Sequence, residues 1–198
     1  MAPAILYSPL APVRWAHLIT AREQLDPNKP KAWTCELLLS QDDPKHQAFL
    51  VSLDALFTDT HGSKKKRSDK GVPWKTDRED PTITVVKFKA QQFVRDDSST
   101  APGPKVMDSR KQPWDGSQIG NGSEVVLAFT TYGWERPEGT GLSLQPKAVQ
   151  VVSFVPRADL GESAADGFEE QEGYSVQAAA SFTDEFDEFG AGAAAMPF

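Results

Sequence analysis

Cysteine is almost missing from this chain: Cys35 is the only one among 198 residues. No intramolecular disulfide can form, so a packed core must carry the stability, and a reducing cytoplasm is the expected setting. Histidine is nearly as scarce. His17, His46 and His61 are the three present, none with a second ligand at metal spacing, and no Gly-rich phosphate loop follows an expected strand. The reading therefore assigns no metal, no cofactor and no enzymatic activity. Long apolar runs are lacking too. Val125 to Phe129 and Val149 to Val155 fall far short of the about 20 residues that a membrane helix needs. The opening MAPAILYSPLAPVRW has prolines in its apolar run and no basic n-region, so neither a signal peptide nor a membrane partner is expected.

The most informative absence is that of basic residues from Ala158 to Phe198. Ten acids stand there without a single Lys or Arg, so all 21 basic residues lie in residues 1–157. The formal net charge of −7 thus divides into a body of net +3 and a tail of net −10. Such segregation points to a basic surface with an anionic partner and an acidic arm that competes for it. Residues 1–157 are long enough for one self-supporting domain. Residues 158–198 are rich in Gly, Ala, Ser and acids, bury too little to offset ordering entropy, and read as a disordered tail.

Within the body, Val13 to Thr20 and Trp33 to Leu39 read as strands joined by the turn residues Asp26 to Pro30. Asp43 before Pro44 is an N-cap signal, and Phe49, Leu50, Leu53, Leu56 and Phe57 recur at helical spacing up to Gly62. Ser63 to Pro81 reads as a long exposed charged loop. Thr82 to Val94 is the next strand, with Val85, Lys87 and Lys89 on one face and Val86, Phe88 and Ala90 on the other. Asp96 to Gln112 reads as an irregular crossing. Glu124 to Trp134 and Leu142 to Val155 close the body around a turn at Glu135 to Gly141. The fold class that follows is all-β with one or two helices: a five-stranded antiparallel OB-like barrel plus the acidic tail.

Barrels of this size hold single-stranded nucleic acid with a cationic groove and aromatic stacking platforms, which tolerate any base. All five tryptophans occur in the body. The candidate DNA-binding residues are Arg14, Trp15, Lys64, Lys65, Lys66, Arg67, Lys70, Trp74, Lys75, Lys87, Lys89, Arg110, Lys111, Trp114, Tyr132 and Trp134. Trp74 is placed in a polar loop that offers little core to join, whereas the strand tryptophans have the core as an alternative. In the tail, Asp184, Glu185, Phe186, Asp187, Glu188 and Phe189, with the terminal Pro197 and Phe198, look like a docking peptide of aromatic anchors, acids and a free carboxylate.

The stretches from Tyr7 (YSPLAPVRWAHLITAREQ), Lys105 to Arg110 (KVMDSR), Trp114 to Ser123 (WDGSQIGNGS) and Tyr132 to Val155 resemble the bacteriophage single-stranded DNA-binding proteins of the T7 type. The Met-Pro-Phe tip is similar to the Ile-Pro-Phe tip of bacterial single-strand-binding proteins. The resemblance implies an OB-fold that coats single strands in viral DNA replication and recombination, in the cytoplasm of a host cell. It implies a tail that recruits polymerase, helicase or primase. Two departures stand out: the helix follows the second recognisable strand rather than the third, and Met196 and Ala193 to Ala195 replace the usual Ile and acids of the tip. The sequence leaves monomer and homodimer both open. The rival readings are a virion or scaffolding protein without DNA binding, and a metal-dependent nuclease using Asp77, Glu79 and Asp80.

Overall fold

The computed structural model describes residues 4–62, 65–68, 71–96 and 98–157. Among these residues, eight strands and one helix run in the order β1 (Leu6–Tyr7), β2 (Ala11–Arg22), β3 (Ala32–Ser40), α1 (Pro44–His61), β4 (Trp74–Thr76), β5 (Ile83–Gln91), β6 (Lys105–Met107), β7 (Glu124–Arg136) and β8 (Gly139–Ser153). The five long strands β2, β3, β5, β7 and β8 close a ring: β2 pairs β3, β3 pairs β5, β5 meets β8, β8 pairs β7, and β7 returns to β2. All these pairings are antiparallel except β5 with β8, which meet in parallel at Phe88 and Leu144. A closed five-stranded Greek-key ring of this kind is an OB-type barrel.

Alternation along each strand fills the ring. Cys35, Leu37 and Leu39 of β3, Val86 and Phe88 of β5, Leu127 and Phe129 of β7, and Leu144 and Val149 of β8 are buried in one cluster. The Phe88 and Phe129 rings meet edge-on with centroids 5.2 Å apart. Truncating either to Ala costs about 3–5 kcal/mol. The thiol of Cys35 is fully enclosed, and burial pushes its pKa above the usual range, which makes it an inert core group.

Helix α1 begins as its sequence dictates: the Asp43 carboxylate accepts from the Lys45 N–H at 2.7 Å, and Pro44 occupies the first turn. Gly62, at φ +77°, ends it. Leu53 and Phe57 are buried, and Phe49 packs on Phe129 at 6.0 Å. Two of the three histidines lie on this helix as structural groups. His46 Nε2 donates to the Leu10 carbonyl while Nδ1 accepts from Ser40 N–H, and His61 Nε2 donates to the Gly141 carbonyl. The helix follows the second long strand, as its sequence position requires.

Three short strands escaped the sequence reading. The expected loop from Ser63 to Pro81 contains β4, which pairs with β5 through Trp74 opposite Val86. The expected irregular crossing from Asp96 to Gln112 contains β6, parallel to β8. Strand β1 pairs with β7. Strands of two or three residues are too short to show an alternation of period two. The final turn is also tighter than expected, because Arg136 pairs directly with Gly139.

Candidate nucleic-acid interface

The outer face of the ring is set by the same alternation that fills its interior. Register places Arg14 opposite Glu36 and Glu36 opposite Lys87, and in the next rung His17 opposite Thr34 and Thr34 opposite Lys89. A strip of polar and cationic side chains therefore crosses β2, β3 and β5. At one end of it lies a cleft of about 230 Å³ lined by Trp15, Arg22, Thr34, Cys35, Glu36 and Lys87. At the other a cleft of about 890 Å³ is bounded by Lys89 of β5, Phe93, Tyr132 and Trp134 of β7, and Gln145 and Lys147 of β8. Lys87 and Lys89 are neighbours on one face of β5, so they join the two clefts.

Aromatic rings are presented at both ends. Trp15 is 58% exposed and Tyr132 and Phe93 are each 59% exposed. Trp134 is half-buried, with the Arg136 guanidinium 5.2 Å from its ring centroid. Its indole lies across Gly141, where a Cβ would stand 2.1 Å from the ring. Trp33 is buried but forms part of the larger cleft's wall, and Gly103 lies against its indole.

The cations of the strip differ in what holds them. Arg14 donates to Glu36 at 3.0 Å and pairs with Asp77 at 2.6 Å. Lys87 is half-exposed and 3.8 Å from the other Glu36 oxygen. Lys89 donates to the Gln24 side-chain carbonyl. Its pKa is lowered by burial and then by the charges of Lys87, Lys29 and Arg22. His17 is likewise held below the usual histidine range, by burial and then by Arg157 and Arg22; the Arg157 guanidinium lies 3.5 Å from its Nδ1. Arg22, Lys29 and Arg157 thus belong to the cationic cluster, although the sequence reading did not select them.

Other candidates fall elsewhere. Arg67 pairs with Asp54 at 2.9 Å and lies over the rings of Phe57 at 4.3 Å and Trp74 at 5.9 Å. Trp74, expected in a loop with no core to join, instead packs against the buried cluster from β4. Lys65 pairs with Glu135, and the Lys66 carbonyl accepts from Thr140 N–H. Lys75 is exposed on β4. Arg110 and Lys111 are exposed in the turn held by the Asp108 carboxylate. Trp114 is half-buried: it packs edge-on against Phe154 at 5.0 Å and donates to the Ser117 carbonyl. Lys64, Lys70 and the tail residues from Asp184 to Phe198 lie outside the described residues.

The acids weighed for a metal are engaged in a turn. Asp77 accepts from Glu79 N–H, and Asp80 from both Thr82 N–H and its hydroxyl. Among the described residues no three His, Cys, Asp or Glu side chains converge as a metal set. None of their helices is long and apolar enough to cross a membrane.

No family model matches the chain, and no curated protein matches it. Solved structures do. The chain is similar to gp2.5, a single-stranded DNA-binding protein encoded by bacteriophage T7, at 20% identity over 88% of this chain and 100% of that one, with a TM-score of 0.60. It is also similar to the single-stranded DNA-binding protein of bacteriophage Enc34 in complex with single-stranded DNA, at 13% identity over 78% of this chain and 89% of that one, with a TM-score of 0.61. A C-terminal truncation of the Enc34 protein aligns at 14% identity over 78% and 88% of the two chains, with a TM-score of 0.59. The ring of β2, β3, β5, β8 and β7 therefore has the fold of the bacteriophage single-stranded DNA-binding proteins.

Proposed function

We propose that this chain binds single-stranded DNA without sequence preference and acts in phage DNA replication and recombination. The observation that carries the reading is the continuous outer strip, in which Lys87 and Lys89 connect the exposed Trp15 to the cleft of Phe93, Tyr132 and Trp134. Cations at strand-fixed positions offer a track for phosphates, and rings at both ends offer faces to unstacked bases. The fold shared with the phage proteins supports the same reading. In this proposal residues 1–157 are the binding domain. Residues 158–198 are an acidic arm that competes with DNA for the strip, at the high local concentration a tether provides. The segment Asp184 to Phe189, with Pro197 and Phe198, recruits replication proteins such as polymerase, helicase or primase.

Tryptophan fluorescence titrated with poly-dT, with duplex DNA as control, tests the proposal. Quenching by the single strand is expected, with log affinity falling linearly against log salt by about 0.7 per phosphate neutralised. Absence of quenching, a flat salt dependence, or equal affinity for duplex overturns it, and the first of these outcomes favours a virion or scaffolding role.

A further inference from the structure

One side chain of the strip stands on backbone that other residues avoid. Trp15 has φ +53°, in the left-handed region, where a bulky residue is a genuine outlier that calls for a cause. The pairing of β2 with β3 shifts register between Arg14 and His17, so Trp15 occupies a bulge, the device by which a strand re-aims a side chain. The indole is thereby turned out of the sheet and exposed at the wall of the smaller cleft, beside Arg22 and Lys87.

The bulge is held from outside its own strand. The Trp15 N–H donates to the Asn121 side-chain carbonyl at 2.8 Å, a contact spanning 106 residues of sequence. Asn121 is itself exposed, but its loop is pinned on both sides. Gly122 N–H donates to the Val13 carbonyl and Val13 N–H to the Ser123 carbonyl, each at 2.9 Å. Gly120 N–H donates to the Val155 carbonyl, and the Ser123 hydroxyl bonds to both the carbonyl and the N–H of Val155. The loop is thus an anchored bracket, with the Asn121 carboxamide as its arm.

We infer that Asn121 is a positioning residue for nucleobase stacking: it holds the Trp15 bulge, so that the indole is pre-set as a platform before DNA arrives. This rests on the single-strand binding proposed above. Without the carboxamide the Trp15 N–H loses its partner and the bulge can relax toward ordinary strand geometry, which swings the indole away from Lys87 and Arg22.

The test is a double-mutant cycle in the full chain, reading the affinity of a fluorescein-labelled oligo-dT for wild type, Asn121→Ala, Trp15→Ala and the double variant, each checked by its melting curve. Trp15→Ala is expected to weaken binding about 5- to 150-fold, the range of one lost stack. Asn121→Ala is expected to weaken it about 2- to 10-fold, the range of one lost hydrogen bond. The double variant should bind no more weakly than Trp15→Ala, because without the indole there is nothing left to position. Wild-type affinity in Asn121→Ala overturns the inference, as does a double variant weaker by the product of the two factors, which would mark Asn121 as a general support of the fold. Should Asn121→Ala fail to fold, Asn121→Asp retains an acceptor for the Trp15 N–H and is expected to keep the indole quench. Loss of that quench in Asn121→Asp counts against the inference. A wild type that does not bind oligo-dT refutes the binding proposal itself, separately from the role of Asn121.

Discussion

Glu36 is an acid in the middle of the proposed phosphate track, and neutralising it should tighten DNA binding. Its two oxygens face Arg14 at 3.0 Å and Lys87 at 3.8 Å, so in the free protein it offsets charge that phosphates would use. Lys87 stands 3.8 Å from this carboxylate and an ion pair spans up to about 4 Å, so a phosphate on the far side of Lys87 would lie about 8 Å from it. The repulsion between two unit charges at that distance is about 0.5–2 kcal/mol for an effective dielectric between 80 and 20. Glu36→Gln removes that repulsion, which corresponds to binding about 2- to 30-fold tighter. The fold should tolerate the change, since Arg14 keeps Asp77 at 2.6 Å and a partly exposed ion pair contributes about 0–1 kcal/mol.

Fluorescence anisotropy of a labelled oligo-dT across a salt series reads the effect directly. Affinity of Glu36→Gln should rise most at low salt and converge on wild type at high salt, because screening removes the repulsion in both. A melting midpoint within a few degrees of wild type would exclude a global change in the fold. If Glu36→Gln binds as wild type does, or more weakly, then the β2–β3–β5 strip is not where phosphates sit.

Three further outcomes are expected. Trp15→Gly should melt about 2–4 °C above Trp15→Ala, since only the latter retains the left-handed penalty of about 1 kcal/mol; thermal melts decide. His17, whose pKa burial and then Arg157 and Arg22 depress, remains neutral in the fold below the ordinary value of about 6.5 while the unfolded chain takes up a proton. Its contribution therefore destabilises the free protein as pH falls through that value, whereas a bound phosphate offsets the two arginines. DNA affinity should rise as pH drops below about 6.5 in wild type and less so in His17→Gln, followed by titrations at several pH values. Truncation after Arg157 should tighten DNA binding by removing ten acids and no base. Unchanged affinity would mean that the arm does not visit the strip.

The long elements were legible because each repeats a local rule. Alternation in Thr82 to Val94 correctly put Lys87 outside and Phe88 inside, and the Asp43–Pro44 start of α1 stands as read. The candidate site was legible only where one strand fixed it, as at Lys87 and Lys89. The run from Lys64 to Arg67 looked like a phosphate track because its charges adjoin in sequence, but Arg67 is folded over Phe57 and Trp74 and paired with Asp54. Trp74 looked free because its neighbours are polar, yet Val72 also packs against the core and β4 delivers the indole with it. Arg22 was missed because two register shifts in β2 decide what it approaches, and nothing in the order of residues announces a shift; Lys29 lies in the turn between β2 and β3, where no strand fixes its direction. Phe93, a lone aromatic just past a strand and before a polar crossing, and Trp33, a strand tryptophan, line the larger cleft and were missed although their aromatic character was a signal available.

Beyond the ion pairs of Arg14 and Glu36, three groups of the strip are poorly satisfied in the free protein. Lys89 is crowded by Lys87, Lys29 and Arg22, and His17 by Arg157 and Arg22, while Trp15 holds a ring in water on a backbone that favours glycine. Each feature costs the free protein stability; among the other described residues, positive φ outside glycine recurs in the loops at Ser98 and Lys111, and the helix is capped at both ends. Conflicts of this kind gather where a ligand resolves them. A polyanion would relieve the first two, and a flat apolar base would cover the exposed indole. Single-stranded nucleic acid would supply both, whereas duplex DNA hides its base faces and would leave Trp15 uncovered.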